Sequence, residues 1–300
     1  MALPRAPHGY AAVLVVRSTG VSVRRAEPQS AAGRHSRVRN AAVGMTVSAI
    51  PSRRRLTAEV VIVLGLSLGA SAVYSIVQII DLLTRVKPLG DQVATINPPL
   101  SDRSGFDLTY QLLGIIFALA PVALVCFLLW RETRPHLSRL GIDFTRPGRD
   151  TLWGLGLAVV VGVPGIGVYL AGRALGIGVT VVPTSLSAYW WTVPVLALSA
   201  LRAGLTEEVI VIGYLYARLG DLGWGRWRII LSTAVLRGTY HLYQGFGAFV
   251  GNFAMGVLFG WLYTRYGRLL PLVIAHTLID TAIFVGYPWA AATFPGLFGH

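Results

Sequence analysis

The chain is short of charge. Only 13% of its 300 residues are Asp, Glu, Lys or Arg, 54% are hydrophobic, and the mean hydropathy is +0.62. That excludes an ordinary soluble domain, in which about a quarter of the residues are charged. Cysteine is nearly absent. Cys126, inside an apolar stretch, is the single copy, so the chain has no intrachain disulfide and no cysteine-based metal or redox motif. Acidic residues are scarce too, 13 against 26 basic ones, for a net charge of +13. The basic residues sit in short loops and the N-terminal segment without base-stacking aromatics among them, so no nucleic-acid partner is expected. HExxH and CxxC are also missing, which removes the usual zinc-protease helix and the redox thiol pair.

What is present is apolar length. Runs at about 58–81, 108–130, 152–172, 190–217, 229–246, 247–264 and 269–287 predict an all-α, polytopic transmembrane bundle of about seven spans. Arginines cluster before the first span (Arg53 to Arg55), after the second (Arg131, Arg134, Arg139, Arg146, Arg149), after the fourth (Arg218, Arg226, Arg228) and after the sixth (Arg265, Arg268). Those are alternate loops, so the positive-inside rule puts the N-terminus in the cytoplasm of a multi-pass protein of the cell (plasma) membrane. Residues 1–57 read as a basic, disordered tail, with Met45 an alternative start; 58–287 form the transmembrane domain and 288–300 a C-terminal tail. Membrane lipids are the expected surroundings. Gly247 with Gly251, and Gly256 with Gly260, mark close helix packing.

Within the spans a few polar residues stand out. Glu207, Glu208 and Asp280 are the acidic residues deep in a predicted span, and His241 and His276 are the histidines there. Burying such groups costs several kcal/mol unless they are paired or solvated, which makes them candidates for function. Counting helix rise from the nearest arginine at each cytoplasmic end gives about 15 Å for Glu208, 20 Å for His241, 12 Å for His276 and 18 Å for Asp280. They share one slab, and His276 and Asp280 share a helix face. Glu207, His241 and His276 are therefore expected around a single cavity opening toward the cytoplasm.

Paired buried carboxylates supply general acid and base, water the nucleophile, and histidines hydrogen bonds to an oxyanion, a composition that suits amide hydrolysis. The same donors (Glu207, His241, His276, Asp280) could also hold a divalent metal such as zinc. A proton-coupled transporter would place such groups at mid-depth as well, although no internal repeat is visible.

Three segments, TEEVIVIGYLY, LRGTYHLYQG and PLVIAHTLIDTAIF, resemble the three motifs of the CAAX protease and bacteriocin-processing (CPBP, or Abi) family of intramembrane endopeptidases. The resemblance covers about residues 190–287. It implies a peptide-bond hydrolase of CAAX-box type acting on a membrane-associated peptide or protein, without an obligatory metal or other cofactor. It implies that Glu207 activates water with Glu208 in support, that His241 and His276 hold the scissile carbonyl and its oxyanion, and that Asp280 orients His276 or the water. Two positions depart from the family pattern: the expected Arg is Ile212, and a Phe expected four residues before His241 is Arg237. The first departure would fit an inactive membrane binding or immunity protein. Together they suggest a swap in which Arg237 reaches across to pair with Glu208 and leaves Glu207 free. Arg202, five and six residues before the two glutamates, points to another face.

Overall fold

The computed structural model describes residues 52–293. The tail before residue 52, Met45 included, and residues 294–300 lie outside the described residues. Helix α1 (Arg53–Gly65) already starts within the expected tail, its Arg55 amide capped by the Ser52 hydroxyl at 3.3 Å. It meets α2 (Leu68–Thr84) at a 55° bend, where the Ser67 hydroxyl donates to the Val63 carbonyl at 2.6 Å and competes with the helical ladder. Next come β1 (Val93–Asn97), α3 (Ser104–Ala118), α4 (Ala120–Leu128), α5 (Pro147–Ala174) and β2 (Thr180–Thr184). Helix α6 (Thr192–Glu207) continues through a π-helical segment, Glu208–Tyr214, into α7 (Leu215–Asp221). Helices α8 (Arg226–Thr239), α9 (Phe246–Tyr266) and α10 (Leu270–Thr281) follow, and a second π-helical segment, Ala282–Gly286, leads into α11 (Tyr287–Thr293).

Among the described residues four helical stretches are long and apolar enough to cross a membrane, Ser104–Leu128, Pro147–Ala174, Phe246–Tyr266 and Leu270–Ala290, and the bent α1–α2 pair makes a fifth. The two remaining rods carry Glu207 and Glu208 in one and Arg237 in the other. The continuous stretch from Thr192 to Asp221 contains Arg202, Glu207, Glu208, Arg218 and Asp221. Helix α8, with 14 residues, is about 21 Å long against a hydrocarbon core of about 30 Å. Charge in the first and shortness in the second set them apart from ordinary spans.

Alternate loops gather at opposite ends of the bundle. At one end, β1 and β2 pair in parallel, Val93 opposite Thr180 through Asn97 opposite Thr184, and Gly178 bridges Gly245. This small sheet is absent from the all-α expectation because its strands are five-residue pieces inside loops. At the other, arginine-rich end, the Leu269 amide donates to the Gly141 carbonyl at 3.0 Å, Arg139 pairs with Asp221 at 2.8 Å, and Arg268 binds Asp143 and Asp150. The main apolar core reaches that end, with Leu140, Ile212, Phe259, Leu269 and Leu272 in one cluster. The paired glycines are packing residues: a Cβ on Gly256 would lie 3.0 Å from Ala234 and 3.3 Å from Arg237 Cδ, and one on Gly247 3.2 Å from Gly172 Cα.

Candidate active site

The site is assembled from α6, α8 and α10. Glu207 ends α6 and Glu208 opens the π segment. The π register widens the helix by one residue per turn, a distortion that concentrates at functional positions. Arg237 lies in the last turn of α8, and Gly256 on α9 leaves room for its aliphatic stem. After Thr239 the chain leaves the helix, so His241 stands in a short turn rather than inside the span expected to run to residue 246. That turn sends Tyr240 inward, and Gly245, at φ 95°, starts α9. His276 and Asp280 share one face of α10.

Glu208 and Arg237 are fully buried, and the Arg237 guanidinium donates through Nη2 to Glu208 Oε1. His276 Nδ1 lies 2.7 Å from the same oxygen. A ring nitrogen beside a carboxylate acts as its donor, which assigns the proton to Nδ1. The 2.9 Å approach of Arg237 Nη2 to that nitrogen is then a contact between two donors converging on one acceptor. Arg237 lies over the Phe259 ring, 5.5 Å from its centre. Ile212, where the family pattern has an arginine, is fully buried in the apolar cluster.

Glu207 Oε2 is the second focus. The Tyr240 hydroxyl donates to it at 2.7 Å and Arg237 Nη2 at 3.3 Å. His241 Nε2 stands 3.8 Å away and His276 Nε2 3.9 Å, separations that a bridging water spans. His276 Nε2 is also 3.6 Å from Asp280 Oδ2. The structure thus brings Glu207, Glu208, Arg237, His241, His276 and Asp280 together. Arg202 forms no ion pair with either glutamate and none with any described residue.

Tyr240 went unread in the sequence. Its available signal was the spacing of three residues after Arg237, which carries both side chains toward the glutamates. Five atoms of the clustered residues are buried without a hydrogen-bond partner: Glu208 Oε2, Arg237 Nε and Nη1, and both nitrogens of His241. As placed among the described residues, no three His, Cys, Asp or Glu side chains are arranged to hold a metal ion.

The comparisons with known proteins bear on this segment. Residues 189–282 match the family model described as type II CAAX prenyl endopeptidase Rce1-like, a stretch that opens just before α6 and closes just after α10. No curated protein and no solved structure matches the chain. The matched segment holds all six clustered residues. With four to five helices among the described residues apolar enough to cross a membrane, the chain fits a multi-pass membrane protein, and its residues 189–282 are similar to the type II CAAX prenyl endopeptidase Rce1-like family.

Proposed function

We propose that the protein is an intramembrane endopeptidase that cleaves a membrane-associated peptide or protein by glutamate-activated water. The convergence on Glu207 Oε2 carries the reading: a hydroxyl at 2.7 Å, a guanidinium at 3.3 Å and two imidazole nitrogens at 3.8 and 3.9 Å surround one carboxylate oxygen. Tyr240 and Arg237 favour ionised Glu207, the form a general base requires. A water between Glu207 and the two imidazoles gives up its proton to Glu207 as it attacks the scissile carbonyl, and Glu207 returns that proton to the leaving amine. His241 and His276 face the oxygen on which negative charge develops. Because Nδ1–H of His276 serves Glu208, Nε2 donates to that oxyanion in the doubly protonated ring, whose charge Glu207, Glu208 and Asp280 balance. Glu208 and Arg237 position His276, and Asp280 orients its outer edge.

In this reading the seven helical rods all cross the plasma membrane, the arginine-rich end faces the cytoplasm, and no cofactor takes part. The test uses the full chain in proteoliposomes with model membrane peptides, scored by mass spectrometry of the products. Cleavage by wild type, a loss of at least about a thousandfold in Glu207→Gln with an unchanged melting profile, and survival after prolonged phenanthroline are the expected results. Equal cleavage by Glu207→Gln would sink the assignment of the base. Loss on chelation with recovery on zinc would replace the metal-free mechanism by a His/Glu/Asp centre.

A further inference from the structure

Two open depressions are lined from α8 and α9, away from the catalytic cluster. The first, about 460 Å³, is apolar and is lined by Trp227, Val250, Phe253, Ala254, Val257 and Trp261 among others. From Trp261 back to Val250 the groove follows α9 for about 16 Å, roughly half the hydrocarbon thickness of about 30 Å. The second, about 450 Å³, sits at the arginine-rich end and is lined by Arg139, Tyr216, Trp224, Arg226, Tyr263 and Thr264. Their linings take neighbouring positions of the same two helices, Trp227 beside Arg226 on α8 and Trp261 one turn before Thr264 on α9. The Arg226 guanidinium lies 5.8 Å from the centre of the Trp227 ring, and the Thr264 hydroxyl donates to the Trp261 carbonyl at 2.9 Å.

Charge decides what fits. Arg139 shares its guanidinium with Asp221 at 2.8 Å, whereas Arg226 is exposed and makes no ion pair with a described residue. Arg228 stacks on Trp224, 4.1 Å from the ring centre, which adds a further positive charge to the rim. A cationic, aromatic-walled depression at the arginine-rich end is thus followed along α9 by an apolar trough. No acidic residue lines either depression among the described residues, and Asp221, which pairs with Arg139, is also bound to Arg218.

We propose that this is a binding site for one glycerophospholipid with an anionic headgroup, its phosphate on Arg226 and Arg139 and an acyl chain in the groove along α9. A basic pocket at the membrane surface selects headgroup charge, and the trough requires a hydrocarbon chain that inorganic phosphate lacks. The site also braces the helix that carries Arg237. Tyr216 lines the head pocket and takes a hydrogen bond from Thr233 at 3.3 Å, and Arg237 follows one turn later on α8. The binding itself does not rest on the proteolytic reading.

Native mass spectrometry of the full chain in detergent tests it, with phosphatidylglycerol and phosphatidylcholine of the same acyl chains supplied in equal amounts, and thermal unfolding runs in parallel with each lipid and with inorganic phosphate. Wild type should retain a single phosphatidylglycerol about tenfold better than phosphatidylcholine and melt higher with it. Arg226→Gln, a change at an exposed position, should retain the two lipids equally, and Ala254→Trp, which fills the groove, should weaken retention of both. Equal retention by wild type, or an undiminished preference in Arg226→Gln, overturns the site. Stabilisation by inorganic phosphate equal to that by phosphatidylglycerol overturns the lipid as its ligand.

Discussion

Arg268 and Arg237 each face two carboxylates, with opposite results. Arg268, at the arginine-rich end, uses every nitrogen: Nε to Asp150 at 2.7 Å, Nη1 to Asp143 at 3.0 Å, and Nη2 to both, at 2.5 and 3.1 Å. Arg237, between α6 and α10, uses Nη2 alone, while its Nε and Nη1, Glu208 Oε2 and both nitrogens of His241 stay unpaired inside the protein. The first is a finished clamp that joins the loop before α5 to the loop before α10. The second leaves buried polar groups unbonded, each at a cost of about 1–3 kcal/mol. A fold tolerates such a deficit where the missing partners belong to a reaction rather than to the resting protein.

The largest effect expected on this contrast comes from Arg237→Phe, which leaves the two buried carboxylates without their guanidinium and with only the His276 ring to offset their charge. The loss should be about 3–5 kcal/mol, read as a collapse of the thermal transition. Adding Ile212→Arg should restore part of it, and a double variant no better than the single would disprove the swap of cation positions. Tyr240→Phe comes next. It removes a charged hydrogen bond from Glu207 and nothing from the apolar packing, so kcat should fall about ten- to a hundredfold with the melting temperature nearly unchanged. An equal fall in stability and rate would make Tyr240 a packing residue.

The smallest effect belongs to the finished clamp. A hydrogen bond from Thr145, and after it the Arg268 guanidinium, hold the Asp143 carboxyl down to about 2. A carboxylate whose folded value is depressed stabilises the fold above its unfolded value near 4, and that contribution fades as the pH falls toward about 2. Asp143→Asn should therefore lower the melting temperature slightly at neutral pH, and the gap to wild type should close across that acid range. A gap that stays constant down to pH 2 would show that Asp143 acts through something other than its charge.

Much of the cluster could be read from the sequence because its members are anomalies. A Glu-Glu pair, and a His with Asp four residues on, have little other reason to occupy an apolar helix, and Arg237 stands one turn before His241. Tyr240 offered no such anomaly, since a tyrosine near a helix end is ordinary. The apolar runs outlined the spans where hydropathy alone decides, in α3 to α5 and in α9 and α10. They failed where a local device intervenes. Examples are the Ser67 hydroxyl at the α1–α2 bend, the inward turn at Tyr240 that ends α8 early, and the five-residue strands, too short for their alternation to rise above loop composition.

The π-helical segment Glu208–Tyr214 has one further consequence: it works as a phase shifter. It takes up a residue without advancing the α register, so the two halves of one rod can aim at different neighbours. Where it begins, Glu207 and Glu208 turn to Arg237 and His276. From its last residue on, Tyr214 and Arg218 turn to Glu59 on α1, at 3.1 and 2.6 Å. Deleting a single residue there would let the rod relax to an unbroken α-helix and swing the second half by about 100° against the first. One of the two partnerships would then have to be given up, although every residue that makes them would still be in the chain.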